Sequence, residues 1–201
     1  MRTYHSPRRR DAAEATRAAI LDAAGRLFVS EGYDKVTVAD IASAAGVAVP
    51  TVYGSTGGKA AILKAVLEPA VTDPAVERTL AGILATDDPG EVIGLLAAGT
   101  RDSHERHWPL VWALTSRNLG EPCAEAVLAE AEASYRAALA VVIDRLIELD
   151  ALKLDRDSAL DVLWFYLGRP GWYTFVGHRG WDFDRAQAWL AGSARHSLLK
   201  S

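Results

Sequence analysis

Cysteine is almost absent. Cys123 stands alone in 201 residues, which excludes an internal disulfide and a zinc site built on paired thiolates. Long apolar runs are missing as well. None approaches the roughly 18 residues of a membrane span. No apolar stretch follows the opening MRTYHSPRRR, so it does not read as a secretory signal. The expectation is a reducing, cytoplasmic setting without membrane association. Acid is absent from the first ten residues, which hold four arginines. Tryptophan is absent from the first 100 residues, and all six lie beyond them. The small, Ala-rich first third and the aromatic remainder therefore read as two units with different tasks.

The net charge of −4 conceals an uneven distribution. Residues 1–60 carry eight basic and six acidic side chains, against fourteen and twenty in the rest. A basic arm on an otherwise acidic protein can reach phosphate, although a solvated tail has the same composition. With 50% hydrophobic residues there is ample material for a core.

What is present is helical periodicity. Across residues 16–30, Ile20, Ala23, Ala24, Leu27 and Phe28 recur at the spacing of one helix face. Gly32 predicts the stop. Thr37 predicts a second, short helix, because its hydroxyl can cap the first-turn N–H groups and Asp40 completes a capping box. Val38, Ile41, Ala42 and Ala45 form its apolar face. Gly46 ends it, and a third helix is predicted over residues 47–53. Residues 54–58 read as a flexible break. Further helices are predicted over residues 59–69, 75–85, 91–101, 105–119, 121–150, 155–168 and 184–199. Pro109 is tolerable only in a first turn, which starts its helix at His107 or Trp108. No strand, repeat or low-complexity segment is evident. The fold class is all-α: an N-terminal three-helix unit over residues 1–60, then a larger helical domain over residues 61–201.

Two short helices joined at a glycine have helix-turn-helix spacing, in which the second helix lies in the major groove. Ile20, Ala23, Ala24, Leu27, Phe28, Gly32, Tyr33, Thr37, Val38, Ile41, Ala42, Ala45, Gly46, Val47, Thr51, Val52, Tyr53 and Lys59 carry a dense resemblance to the TetR family of bacterial transcriptional repressors. The resemblance implies that Thr37 meets a DNA phosphate. It places Val49, Pro50, Thr51, Gly54 and Ser55 at base edges or adjacent phosphates. Tyr53 and Lys59 then reach the DNA backbone, with Arg9 and Arg10 in the basic arm. Ala48 stands where the family usually has a capping Ser or Thr, and Thr56 where it usually has an aromatic residue. The hydroxyls of Ser55 and Thr56 remain candidates for phosphate.

Other readings of these residues are weaker. Residues 54–59 superficially suggest a phosphate-binding loop, but the spacing is wrong and Ala60 replaces the needed hydroxyl. His104 and His107 share a helix face without further ligands, so neither metal nor cofactor is expected. No catalytic triad motif is recognisable, and an enzyme is not expected. The aromatic set suits an apolar chamber for a small hydrophobic or aromatic effector. Its candidate lining is His104, Trp108, Trp112, Tyr135, Trp164, Phe165 and Arg169, with His178 as a further polar group. Family resemblance also implies a homodimer on palindromic double-stranded DNA. The last two helices are its expected interface, through Leu160, Leu163, Leu167, Trp189, Leu190 and His196. The function that follows is a repressor released from its operator by the effector. The competing expectation is a helical ligand-binding or enzymatic protein that keeps a degenerate DNA module.

Overall fold

The computed structural model describes residues 7–116, 119 and 121–200, with side chains from residue 10. Its α-helices are α1 (Pro7–Ser30), α2 (Val38–Ala45), α3 (Val49–Thr56), α4 (Lys59–Val71), α5 (Pro74–Ala85), α6 (Pro89–Thr115), α7 (Pro122–Glu148), α8 (Arg156–Leu167), α9 (Arg169–Trp172) and α10 (Phe183–Leu198). A π-helical turn over Tyr173–His178 follows α9. Among the described residues the only β-pairing is an isolated antiparallel bridge between Leu152 and Leu199. No described helix is long and apolar enough to cross a membrane.

The local signals act as the sequence predicts around α2. The Thr37 hydroxyl accepts from the Asp40 amide at 3.2 Å, and the Asp40 carboxylate accepts from the Thr37 amide at 2.8 Å. Gly46 closes the helix at φ +68°, a left-handed conformation that costs any residue with a Cβ about 1 kcal/mol. Other boundaries differ. Helix α3 starts at Val49 rather than residue 47, without a side-chain cap, and continues through Gly54 and Ser55 to Thr56. The break is thus confined to Gly57 and Gly58. The predicted pair of helices over 91–101 and 105–119 is one helix, α6, which contains Pro109 in its interior.

Packing divides the chain into two compact units. One runs to Pro69 and includes Pro109–Ala129; the other comprises Ala70–Trp108 and the chain from Glu130 onward. The expected cut after residue 60 falls inside the first unit. Ile62, Leu63 and Leu67 of α4, with Leu114, Leu119 and Ala124, are buried in the same core as Ile20, Phe28, Tyr33, Ile41 and Val52. Pro69 and Pro109 lie inside helices, and each marks a point where the chain passes between units.

The second unit buries Ile93, Leu139, Ile143, Leu163, Leu167, Trp172, Leu190 and Leu198. Its end is tied back by Lys153 donating to the Leu198 carbonyl at 3.0 Å and Lys200 to that of Ala151 at 2.8 Å. Three residues expected at a dimer interface, Leu163, Leu167 and Leu190, are fully enclosed in this core and have no surface to offer a second copy. The exposed large hydrophobic side chains on α8 and α10 are Phe165 and Trp189 instead.

Candidate functional sites

Helix α3 is amphipathic in a simple way. Val52 and Thr56 point into the first unit's core, while Val49, Pro50, Thr51, Tyr53 and Gly54 are exposed and Ser55 is half-buried. Pro50 sits in the first turn, where its missing N–H leaves no helix bond unmade. A Cβ built on Gly54 would meet nothing within 4 Å, so this part of the helix presents bare backbone to its surroundings. Arg17 of α1 braces the end of the helix by donating to the Ser55 carbonyl at 3.1 Å. The Thr56 hydroxyl is not available to phosphate, because it is buried and donates to the Val52 carbonyl at 2.9 Å. Thr37 is exposed at the start of α2 beside this face in the chain.

Helix α1 begins with Pro7, so Arg8, Arg9 and Arg10 occupy a helical first turn without any acid. Positive charge there opposes the helix dipole, a local cost of a few tenths of a kcal/mol or more. Arg10 is exposed and paired with Glu14 at 3.3 Å. The side chain of Arg9 lies outside the described residues. Lys59, by contrast, is drawn inward. Its side chain is 15% exposed, its ammonium donates to Glu121 Oε1 at 3.0 Å, and it rests 4.1 Å from the centroid of the Tyr33 ring.

In the second unit the aromatic residues pack ring to ring. His104 stacks on Trp172 at 5.5 Å and lies 6.0 Å from Tyr135 and 6.5 Å from Trp108. Its Nδ1 is 2.8 Å from the Thr100 carbonyl, which can only accept, so Nδ1 carries the proton and Nε2 is left with a lone pair. Burial pushes the imidazole down to about 4, against 6.5 ordinarily, and the Arg169 charge adds to this. Tyr135 donates to the Leu167 carbonyl at 2.6 Å and meets Trp164 edge-on at 5.4 Å. Arg169 is ion-paired with Glu132 and lies 5.9 Å from the Tyr173 ring.

The structure therefore brings His104, Trp108, Tyr135, Trp164 and Arg169 into one cluster. It does not bring Phe165, which is 60% exposed and packs on Tyr166 at 5.2 Å. Trp112 belongs to the first unit. His178 is exposed in the π-helical turn. Trp172 is a member that the candidate lining omitted. It is fully buried, and its indole N–H finds no acceptor among the described residues. Its position between Gly171 and Tyr173 in an aromatic-rich run was the available signal. Glu132 and Phe183 join from distant points in the chain and had none. No group of metal-binding side chains occurs among the described residues.

Residues 20–66 match the family model described as bacterial regulatory proteins, tetR family. Over that segment the chain resembles the tetR family. No curated protein matches the sequence. Among solved structures, the fatty acid degradation regulator FadR from Bacillus halodurans is similar at 19% identity and TM-score 0.73, covering 96% of each chain. NalD, the secondary repressor of the MexAB-OprM multidrug efflux pump in Pseudomonas aeruginosa, is similar at 20% identity and TM-score 0.75, covering 94% of this chain and 99% of that one. FadR from Bacillus subtilis, in complex with stearoyl-CoA, shares 20% identity at TM-score 0.72 over 88% of this chain and 96% of that one. The likeness to these solved structures, all at about 20% identity, is one of fold. The all-helical likeness extends well beyond the matched segment.

His104 gives a pH dependence with a definite sign. Because its folded pKa lies below the ordinary value, its contribution to stability is complete above pH 6.5 and is lost as the pH falls toward 4. Urea unfolding at pH 7.5 and 4.5 is expected to show a larger loss of stability for the native chain than for His104→Gln. Equal losses would mean that His104 titrates as an exposed imidazole.

Proposed function

We propose that the chain is a tetR-family transcriptional regulator, a repressor that binds palindromic DNA as a homodimer in the cytoplasm and is released by an uncharged, flat, hydrophobic effector. In this reading residues 1–60 supply the DNA-binding domain and 61–201 effector binding and dimerisation. The observation that carries it is the division of polar resources between two faces. On α3 the exposed groups are left outward: Val49, Pro50, Thr51, Tyr53, Gly54 and Ser55 face the duplex, with Thr37, Arg9 and Arg10 on phosphates. Lys59 reaches a phosphate once it leaves Glu121. In the second unit the charges are spent internally. His104 is held neutral, and Arg169 is matched by Glu132.

An anionic effector would find no unmatched cation in that cluster. An effector with a carbonyl or ether oxygen would satisfy the Trp172 N–H, whose unmade hydrogen bond costs about 1–3 kcal/mol. Trp108, Tyr135 and Trp164 then supply the apolar walls. The pairing stearoyl-CoA makes with the Bacillus subtilis neighbour illustrates a greasy effector. The neutrality of His104 and Arg169's pairing argue for a ligand without its charge.

The dimer is supported by Phe165 and Trp189. They are 60% and 46% exposed, and both pack on the Tyr166 ring, so they form one aromatic patch on α8 and α10. Helices of this kind pair with their copies as a four-helix bundle.

Three measurements test the reading. Gly54→Ala replaces a helical glycine in open space, so the fold is expected to gain about 0.5–1 kcal/mol. Its affinity for a selected operator is nonetheless expected to fall at least about tenfold, because a methyl group intrudes on a close backbone approach. Undiminished operator affinity would remove α3's C-terminal turn from the interface. The double variant Phe165→Glu, Trp189→Glu is expected to sediment as a monomer at micromolar concentration, and a persistent dimer would relocate the interface. Finally, tryptophan fluorescence titrated with uncharged aromatic ketones and with their carboxylate analogues is expected to respond to the ketones. Operator DNA must weaken that binding by the factor the ligand weakens DNA binding. Equal ligand affinity with and without operator would rule out the switch.

A further inference from the structure

The two oxygens of the Glu121 carboxylate are used by different donors. Oε1 accepts from the Lys59 ammonium at 3.0 Å, and Oε2 accepts from the Tyr33 hydroxyl at 3.2 Å. The Tyr33 ring is simultaneously a platform for the ammonium, 4.1 Å from its centroid. Tyr33 is 1% exposed, and burial together with the Glu121 charge pushes its ionisation far upward, so it remains a donor at every working pH. These three groups form a preorganised seat for one cation. A carboxylate with two oxygens fixed and a π-face beneath gives Lys59 what a DNA phosphate would give it: a charge-assisted acceptor.

The seat has direct bearing on the first helix turn of α4. Lys59 is the first residue of α4, just after Gly57 and Gly58, while Glu121 immediately precedes α7. Its carbonyl accepts from the amides of Ala124 and Glu125, both at 3.0 Å, so Glu121 is tied to the start of that helix. Glu121 itself is 46% exposed against 15% for Lys59. The carboxylate thus stands at the open side of the pair, and the lysine at the closed side. An ammonium held this way is not displayed for an outside anion until the pair opens.

We propose that Glu121 is a built-in competitor for the DNA phosphate, positioning Lys59 away from the duplex until Lys59 exchanges one acceptor for the other. The proposal rests on the reading that Lys59 meets a phosphate. It makes Glu121 a positioning residue for DNA binding, acting through Lys59 and touching no DNA. Helix α7, which opens beside Glu121, also carries Glu132 and Tyr135 of the aromatic cluster.

A double-mutant cycle tests this on the full-length protein. The probe is a fluorescently labelled mixed-sequence duplex of about 30 base pairs at about 50 mM salt, where phosphate contacts dominate binding. Anisotropy gives the affinity of the native chain, Glu121→Gln, Lys59→Gln and the double variant. Glu121→Gln keeps the shape and the acceptor for Tyr33 while removing the charge, and is expected to bind about fivefold tighter, the scale of a partly buried ion pair released. Lys59→Gln is expected to cost little in the native background and about fivefold more in the Glu121→Gln background. Tyr33→Phe, which removes only the hydroxyl that holds Glu121, is expected to move affinity in the same direction as Glu121→Gln by a smaller factor. Thermal unfolding of each variant establishes that it is folded. If Lys59→Gln has a measurable cost that is the same in both backgrounds, or if it costs more in one but Glu121→Gln fails to tighten binding, Glu121 does not compete for Lys59 and the proposal is overturned. If Lys59→Gln costs nothing in either background, the phosphate reading of Lys59 has failed instead.

Discussion

The helix-turn-helix rests on the burial of Val52. Helices α2 and α3 have eight residues each, too few for either to persist in water without tertiary support. Val52 and Thr56 are the buried residues of α3, and Val52 shares a core with Ile20, Phe28 and Ile41. With one valine and one self-satisfied threonine directed inward, every remaining side chain of α3 faces out or lies at the margin. Weak caps are affordable under that arrangement: Ala48 offers no side-chain oxygen, but the first turn is preset by Pro50 and the last is held by Arg17. Rigid placement comes from the neighbours, and the exposed face is left free of structural duties.

Proline marks the other constraint. An interior proline removes one helical hydrogen bond and crowds the preceding turn, at a cost of about 3 kcal/mol. The structure accepts this twice, at Pro69 in α4 and Pro109 in α6, and both positions coincide with a passage of the chain between its compact units. On either side of Pro109 the helix has something to bury: Val92, Ile93, Leu96 and Ala97 in one core, Leu114 in the other. Burial at both ends offsets the proline penalty.

The features legible in the sequence were those with narrow chemical requirements. Thr37 with Asp40, and Gly46 in the left-handed region, admit few substitutes, so their spacing announced α2 and its turn to α3. Proline and glycine rules misled where tertiary packing outweighed them. Pro109 did not divide α6, and Gly54 did not end α3. Amphipathic periodicity identified Leu163, Leu167 and Leu190 as buried but not by what, since a chain's own core and a second copy demand the same pattern. The ion pairs were illegible for a different reason. Lys59 and Glu121 are 62 residues apart, and Arg169 and Glu132 37 apart, with no local pattern joining either pair.

Those two pairs share a logic that reaches beyond stability. Exposed ion pairs contribute little, about 0–1 kcal/mol, but both of these are part-buried and each neutralises a cation. Glu132 removes the charge of Arg169 from the aromatic cluster, and His104 beside it is kept neutral by burial. Glu121 removes the charge of Lys59 from the start of α4. Both carboxylates are set along the same stretch of chain, one immediately before α7 and one within it. Both cations are thus matched by carboxylates within the structure.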